Sequence, residues 1–248
     1  RDRLDPKRFD VVIIDEFHHA QAPTYNALLD HFQPRELLGL TATPERGDGE
    51  NIQKYFDYRV AHELRLWDAL RLQLLVPMHY YGIADGTDLS SLTWIRGKKN
   101  YNSRELSEFY IKAGEKRTRF IINELNRRIF DLSEMKAIGF CVTIAHAKYM
   151  ATQFQQFGIP ARAVTNELSA AERAQAIRDL ETGEVKVLFS VDIFNEGVDI
   201  PAVNTLLLLR PTQSPVVFLQ QLGRGLRLSP CKDSCVIFDF IGQQHADF

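Results

Sequence analysis

The sequence is poor in cysteine, has no long hydrophobic run and carries no large excess of one charge. Its 248 residues include three cysteines, Cys141, Cys231 and Cys235, an odd number that is too small for a disulfide framework. Cys231 and Cys235 have no nearby histidine or second cysteine pair, which argues against zinc there. No apolar run approaches the roughly 20 residues that a membrane helix needs, and no signal peptide opens the chain. These absences predict a cytoplasmic protein without a membrane partner.

The charges are balanced overall but unevenly distributed. Thirty Lys and Arg residues against 32 Asp and Glu give a formal charge of −2, which excludes a uniformly basic nucleic-acid-binding protein. Arg96 to Lys136, however, contains eleven basic and six acidic residues. This stretch is either an electrostatic surface for nucleic acid or the solvated face of a helix, and both interpretations stay open.

Apolar, β-branched runs alternate with helical patterns along the chain. Phe9 to Asp15 is almost continuously apolar, which is typical of a parallel strand buried on both faces. Ser169-x-x-Glu172 predicts a capping box at the start of a helix, and the composition of 84–99 predicts a loop. Further strands are predicted at 36–41, 137–142, 161–164, 185–191, 205–209 and 236–240. This alternation predicts an α/β fold with mostly parallel sheets.

The end of the first strand carries two adjacent carboxylates, in the segment Asp15-Glu16-Phe17-His18-His19. Ligands of parallel sheets bind at the carboxyl ends of the strands. There the first carboxylate could hold Mg²⁺ and the second could orient and deprotonate an attacking water. Two alternatives remain: a zinc site, although the spacing is not His-Glu-x-x-His, and a charged loop without chemistry.

Three further clusters follow in the chain. The second strand ends in Thr41-Ala42-Thr43-Pro44. The segment from Ser190 to Pro201 contains a glycine at which a ligand could approach the backbone. The last cluster runs from Gln220 to Arg227, and its two arginines, three apart, are predicted to share a helical face. Their planar guanidinium groups fit phosphate oxygens.

In this order and spacing, the clusters resemble motifs II, III, V and VI of superfamily 2 helicases of the Asp-Glu-x-His branch. The strand end Phe140-Cys141-Val142-Thr143 resembles motif IV. The resemblance extends from about Phe9 to Phe240. It is closer to bacterial DNA motors of the restriction-subunit and excision-repair type than to helicases dedicated to RNA.

The resemblance implies a role for each matching residue. Asp15 would hold Mg²⁺, and Glu16 would be the base that activates water. The arginine fingers would be Arg224 and Arg227. Further residues of the nucleotide site would be Gln220, His18, Gly197 and Asp199. Coupling of the nucleotide site to nucleic acid would fall to Thr41 and Thr43, and contacts with the phosphates of the nucleic acid to Thr143, Thr165 and Ser190.

The sequence departs from the family pattern in three places. Val191 stands where relatives often have Thr, and Gln221 where they often have Arg. The third departure is that Gly-x-x-x-x-Gly-Lys-[Ser/Thr] occurs nowhere. In this family the P-loop precedes motif II, so the resemblance implies an upstream P-loop segment as a partner.

The implied organisation is two RecA-like domains with parallel sheets, the first of them partial. Residues 1–62 would be the C-terminal part of the first domain, without the P-loop strand, which we expect between the strands of motifs II and III. Residues 63–77 would connect it to a complete second domain at 78–248.

The implied function is that of an ATP-dependent DNA helicase or translocase core that uses ATP and Mg²⁺. We expect DNA rather than RNA as its partner and no activity from this chain alone. The alternatives are an RNA helicase and a non-catalytic helicase-like module that binds nucleic acid or another protein. The sequence does not predict an oligomeric state.

Overall fold

The computed structural model describes residues 4–17, 23–41, 52–95, 100–191 and 200–243. The chain divides into two compact units. The first comprises Arg1–Arg65 and Ser214–Leu219, and the second comprises Leu66–Gln213 and Gln220–Phe248. Within the described stretches, every helix is too short or too polar to cross a membrane.

The first unit contains two parallel strands, β1 (Val11–Ile14) and β2 (Glu36–Gly39), with Ile14 opposite Gly39. Helix α1 (Pro23–His31) lies between them in the chain, and a 3₁₀ helix follows at Ile52–Phe56. The core of this unit contains the side chains of Ile14, Phe17, Ile52, Val12, Tyr25, Leu28, Leu29, Leu37, Tyr55 and Phe56. Gly39 is required by this packing, because a Cβ there would lie 2.4 Å from the Phe56 ring.

Two expectations for the first unit are wrong. The first strand is not buried on both faces, since Val11 and Ile13 are 55% and 60% exposed. Alternate residues of β1 and β2 pack into the core with α1, and in the described part of the chain the other face stays exposed. The strands of motifs II and III also pair directly with each other, so no strand lies between them.

The second unit is built on a six-stranded, wholly parallel sheet. Its strands are β3 (Met78–Asp88), β6 (Ala137–Phe140), β7 (Ala161–Val164), β8 (Val187–Ser190), β9 (Thr205–Leu208) and β10 (Cys235–Gln243). Their order in the sheet is β3-β10-β9-β6-β8-β7. The short strands β4 (Trp94–Ile95) and β5 (Asn100–Tyr101) form a separate antiparallel pair. The α/β class and the parallel sheet predicted from the sequence are confirmed.

The helices of the chain after α1 are α2 (Leu66–Arg71), α3 (Ser103–Arg128), α4 (Ile144–Gln156), α5 (Ala170–Thr182) and α6 (Pro215–Gly225). A 3₁₀ helix occupies Leu132–Glu134. The capping box is present, because Ser169 and Glu172 bond reciprocally at the start of α5. Every residue of β6, β8 and β9 is buried, which agrees with their mostly apolar sequences.

The loop predicted at 84–99 is wrong in part, because β3 continues to Asp88 and β4 lies at Trp94–Ile95. Gly86 and the neighbouring aspartates have low strand propensity. The parallel pairing of β3 with β10, from Met78 opposite Cys235 to Asp88 opposite Gln243, overrides that local preference.

Helix α3 contains most of the described basic stretch and bends at Gly114, whose φ of 62° and ψ of −145° favour glycine. Exposed arginines of α3 pair with acidic residues one turn away, as in Arg104–Glu108 and Arg119–Glu115. This pattern favours the solvated helix face over a free basic surface for the described part of the stretch. Arg117 differs from these arginines, since its side chain is only 5% exposed.

Candidate functional site

The two acidic residues of the first unit lie directly after β1. Glu16 has a left-handed φ of 49°, and its backbone N–H donates to Asp15 Oδ1 at 2.8 Å. The next residue, Phe17, is completely buried and its N–H donates to the Leu40 carbonyl at 2.8 Å. Phe17 therefore fixes the turn on the side that follows Glu16, because its ring packs in the core and its N–H is hydrogen-bonded to the residue directly after β2. Asp15 is exposed and Glu16 half-buried at the carboxyl end of the strand.

Thr41 lies at the same edge of this small sheet. The Leu40 N–H donates to the Ile14 carbonyl at 2.9 Å, which continues the strand pairing to the residue before Thr41. The structure thus brings Thr41 to the side of the sheet where Asp15 and Glu16 follow β1. His18 and Thr43, which the resemblance adds to this group, lie outside the described residues.

The Asp15 carboxylate of this turn is an oxygen donor of the kind that Mg²⁺ binds. The histidines of the zinc alternative, His18 and His19, lie outside the described residues. In the described parts of the chain, no three His, Cys, Asp or Glu side chains cluster closely enough to hold a metal ion. Mg²⁺ is commonly held by one or two carboxylates together with substrate phosphates, whereas a zinc site requires a fuller set of protein ligands. The exposed Asp15 carboxylate meets the first requirement.

The hydroxyl residues assigned to nucleic acid lie together at the carboxyl edge of the large sheet. The register pairs Ser190 of β8 with Phe140 of β6 and with Val164 of β7. Thr165 is the residue after Val164, so it lies at the same edge of the sheet as Ser190. Ser190 is completely buried, and its Oγ has no hydrogen-bond partner among the described residues. Thr165 is also buried.

Thr143 performs a structural role at this edge. Its Oγ1 accepts from the His146 backbone N–H at 3.2 Å and caps α4. It also lies 2.6 Å from the Oγ of Ser107, a buried residue of α3. The side chain remains half-buried, so this hydroxyl is fixed in place at the surface of the sheet edge.

A buried polar cluster lies beneath Thr143. Arg117 Nε donates to Asp85 Oδ2 at 3.1 Å, and the two side chains are 5% and 0% exposed. The Arg117 guanidinium stacks on Tyr110, with Cζ 4.0 Å from the ring centroid. The Tyr110 ring in turn stacks on His146 at 5.3 Å. Sequence reasoning missed this cluster, because only contacts between distant positions distinguish Arg117 from the other basic residues of α3.

His146 is the titratable group of this cluster. Its ring Nδ1 accepts from the Val142 N–H at 3.3 Å, which helps to hold the loop after β6. Burial, together with the positive charge of Arg117, lowers the pKa of His146 from 6.5 to about 3. The imidazole is therefore neutral at ordinary pH.

The arginine cluster begins in α6. Gln220 and Arg224 belong to the helix and are half-buried, but the helix ends at Gly225. Arg227 therefore lies in the following segment, and the prediction of one shared helical face is wrong. Gly225 is required where the helix meets the sheet, because a Cβ there would lie 2.4 Å from Cys235 Sγ.

Gln221, the residue that replaces the frequent arginine, is completely enclosed in the second unit. With its amide oxygen oriented toward Arg210, it accepts from Nε and Nη2 at 3.2 Å. The Gln221 amide thus accepts hydrogen bonds from Arg210, whereas an arginine at position 221 would be repelled by the positive charge of Arg210. Gly197 and Asp199, the remaining residues of the implied nucleotide site, lie outside the described residues.

Two family models match the chain. Residues 118–229 match the helicase conserved C-terminal domain, and residues 1–46 match the res subunit of type III restriction enzymes. The putative ATP-dependent helicase IRC3 of Saccharomyces cerevisiae is 30% identical over 97% of this chain and 35% of its own length. The chain spans between 35% and 50% of the first curated relatives it matches.

Solved structures share the fold. A type ISP restriction-modification enzyme, LlaBIII, described as bound to DNA, has a TM-score of 0.65 at 18% identity and covers 94% of this chain and 18% of the enzyme. Dbp5 of S. cerevisiae, described as bound to RNA and ADP BeF3, has a TM-score of 0.55 at 16% identity over 96% of this chain and 55% of its own. The two family matches, the similarity to IRC3 and the parallel α/β fold agree with the motif order, and together they support the resemblance to superfamily 2 helicases of the restriction- and repair-like branch.

Proposed function

We propose that this chain is part of the motor core of a DNA helicase or translocase whose ATP hydrolysis is stimulated by nucleic acid. The observation that carries the proposal is the turn after β1. There an exposed and a half-buried carboxylate, Asp15 and Glu16, follow a parallel strand in a turn held by Phe17. In P-loop ATP hydrolases an aspartate helps to hold Mg²⁺ and a further residue orients the attacking water, and Asp15 and Glu16 offer such a pair.

Each residue of the proposed site has one task. Asp15 would hold Mg²⁺, which neutralises charge on the phosphates when bound. Glu16 would orient the attacking water and accept its proton. Arg224 and Arg227 would donate to the phosphoryl oxygens as their charge spreads in the transition state. Gln220, Gly197, Asp199 and His18 would complete the nucleotide site, with Thr41 and Thr43 coupling it to nucleic acid.

The phosphate cradle of this motor would come from a P-loop outside the 248 residues. Without the backbone N–H groups of such a loop, the β-phosphate has no anion-binding nest among the motifs present. We therefore expect the chain to hydrolyse ATP poorly by itself. Activity should be measured on a protein that contains both the P-loop and this chain.

The proposed partner is DNA. The match to a restriction-enzyme subunit and the shared fold with a DNA-bound restriction enzyme support this choice, while the similarity of fold to RNA-bound Dbp5 keeps RNA as the alternative outcome. Of the three hydroxyl residues assigned to the phosphates, the half-buried Thr143 would make the contact from the sheet edge, whereas Thr165 and Ser190 are buried. A cytoplasmic location remains a prediction.

The substitution Glu16→Gln tests the function. In the P-loop-containing protein it should retain ATP binding while DNA-stimulated turnover falls about 100-fold or more, since the amide cannot accept the proton. Glu36→Gln, an exposed carboxylate in β2, is the matched control and should keep normal turnover. Near-normal turnover of Glu16→Gln would reject Glu16 as the base. Wild-type protein that binds DNA but hydrolyses nothing would favour the non-catalytic module, and stimulation by RNA alone would reject DNA.

A further inference from the structure

The segment that follows α6 is fixed at several points around Arg227. Leu226 is completely buried, and its carbonyl accepts from the Val76 N–H at 2.9 Å. The chain then reverses through a turn at Cys231, whose φ of 61° is left-handed. This turn brings Lys232 back toward Arg227.

Lys232 connects two separate parts of the second unit. Its Nζ donates to the Arg227 carbonyl at 2.9 Å and to the Pro201 carbonyl at 2.9 Å. Arg227 is one of the two proposed arginine fingers. Pro201 is the second described residue after the segment that contains Gly197 and Asp199. One ammonium group therefore joins the segments after motif V and around motif VI.

The environment of Lys232 agrees with a built-in contact. The side chain is half-buried, and burial lowers its pKa to about 8, with a further contribution from the charge of Arg227. At the surface, water can hydrogen-bond a lysine ammonium group, whereas a partly desolvated ammonium group needs acceptors from the protein, here two backbone carbonyls. Bonds from a charged donor are also stronger than those between neutral groups.

We propose that Lys232 is a positioning residue for Arg227. It holds the Arg227 backbone against the Pro201 segment, so that the arginine side chain projects from a fixed point during phosphoryl transfer. Lys232 itself does not touch the nucleotide in this proposal. The inference rests on the proposed ATPase function, because it assigns Lys232 an effect that passes through Arg227.

The proposal predicts that Lys232 and Arg227 act as a unit. In the P-loop-containing protein, Lys232→Met should lower kcat about 10-fold and leave KM for ATP within about twofold, since misplacement affects the transition state more than binding. In an Arg227→Ala background, the same substitution should lower kcat by less than about twofold, because the group it positions is gone. Lys232→Arg should recover most of the lost activity, since a guanidinium can also donate to both carbonyls.

Controls separate this role from a general loss of structure. Lys112→Met removes an exposed lysine of α3 and should leave kcat unchanged. Thermal unfolding of each variant reports whether it is folded, and Lys232→Gln, which keeps an amide donor, replaces Lys232→Met if that variant does not fold. An equal loss of kcat in the wild-type and Arg227→Ala backgrounds, or no loss in either, would overturn the proposal. A wild-type protein without ATPase activity would instead overturn the proposed function, and this inference with it.

Discussion

The buried pair of Asp85 and Arg117 makes a strong prediction about the stability of the second unit. Asp85→Ala removes the carboxylate but leaves the guanidinium enclosed, and Arg117 Nη1 and Nη2 have no other hydrogen-bond partner among the described residues. Breaking a buried ion pair in this way costs about 3–5 kcal/mol, because the remaining charge is uncompensated. We expect the free energy of unfolding of Asp85→Ala to fall by this amount.

Removing both charges should be less harmful than the single changes suggest. Arg117→Met leaves Asp85, which still accepts from the Thr87 N–H at 3.0 Å and from the Thr87 hydroxyl. The double variant Asp85→Ala/Arg117→Met leaves no buried charge, so its cost should be smaller than the sum of the two single costs by about 1–3 kcal/mol.

Urea unfolding followed by circular dichroism measures these free energies. Glu108→Ala is the matched control, because it breaks the exposed Arg104–Glu108 pair of α3, in which the arginine side chain is 88% exposed. Its cost should be about 0.5 kcal/mol or less. The reasoning is refuted if Asp85→Ala costs no more than this control, or if the two single costs simply add in the double variant.

Two further predictions concern His146 and Arg224. Because the pKa of His146 is about 3 when folded and 6.5 when unfolded, the unfolded chain gains a proton that the folded chain excludes as the pH falls. As the pH falls between those two values, this histidine should lower the free energy of unfolding by about 1.4 kcal/mol per pH unit. His146→Gln should remove that part of the pH dependence when the free energy of unfolding is measured at several pH values. An equal pH dependence in both proteins would contradict the shift. Arg224→Ala should lower ATP turnover about 1,000-fold with little change in DNA affinity without nucleotide, and Arg224→Lys should not restore it, since an ammonium cannot make a forked contact. Normal turnover with weaker, less salt-dependent DNA binding would make Arg224 a DNA contact instead.

The sequence predicted well those features that depend on local patterns. Strands such as β8 and β9 are buried on both faces and therefore appear as short apolar runs. The capping box at Ser169 is local too, because donor and acceptor are three residues apart. The adjacent Asp15 and Glu16 could be placed at a strand end for the same reason.

Features that depend on distant contacts could not be predicted. The strand β3 forms along β10, more than 150 residues away in the chain, and its glycine and aspartates indicate a loop when taken alone. Lys232 bonds to Pro201, and Arg117 pairs with Asp85, across intervals with no periodic signal. The exposed face of β1 was mispredicted because a β-branched run does not reveal which of its sides has a covering element.

The bend in α3 has a geometric consequence for the polar cluster. Tyr110 and Arg117 are seven residues apart, which in a straight helix is a rise of about 10.5 Å along the axis. Their side chains nevertheless meet, with the guanidinium carbon 4.0 Å from the ring centroid. Gly114 lies between them and supplies a backbone conformation that other residues rarely adopt. Gly114 thus contributes to the contact between Arg117 and Tyr110, although it has no side chain of its own, because the bend at Gly114 sets the angle between the two segments of α3 that carry these residues.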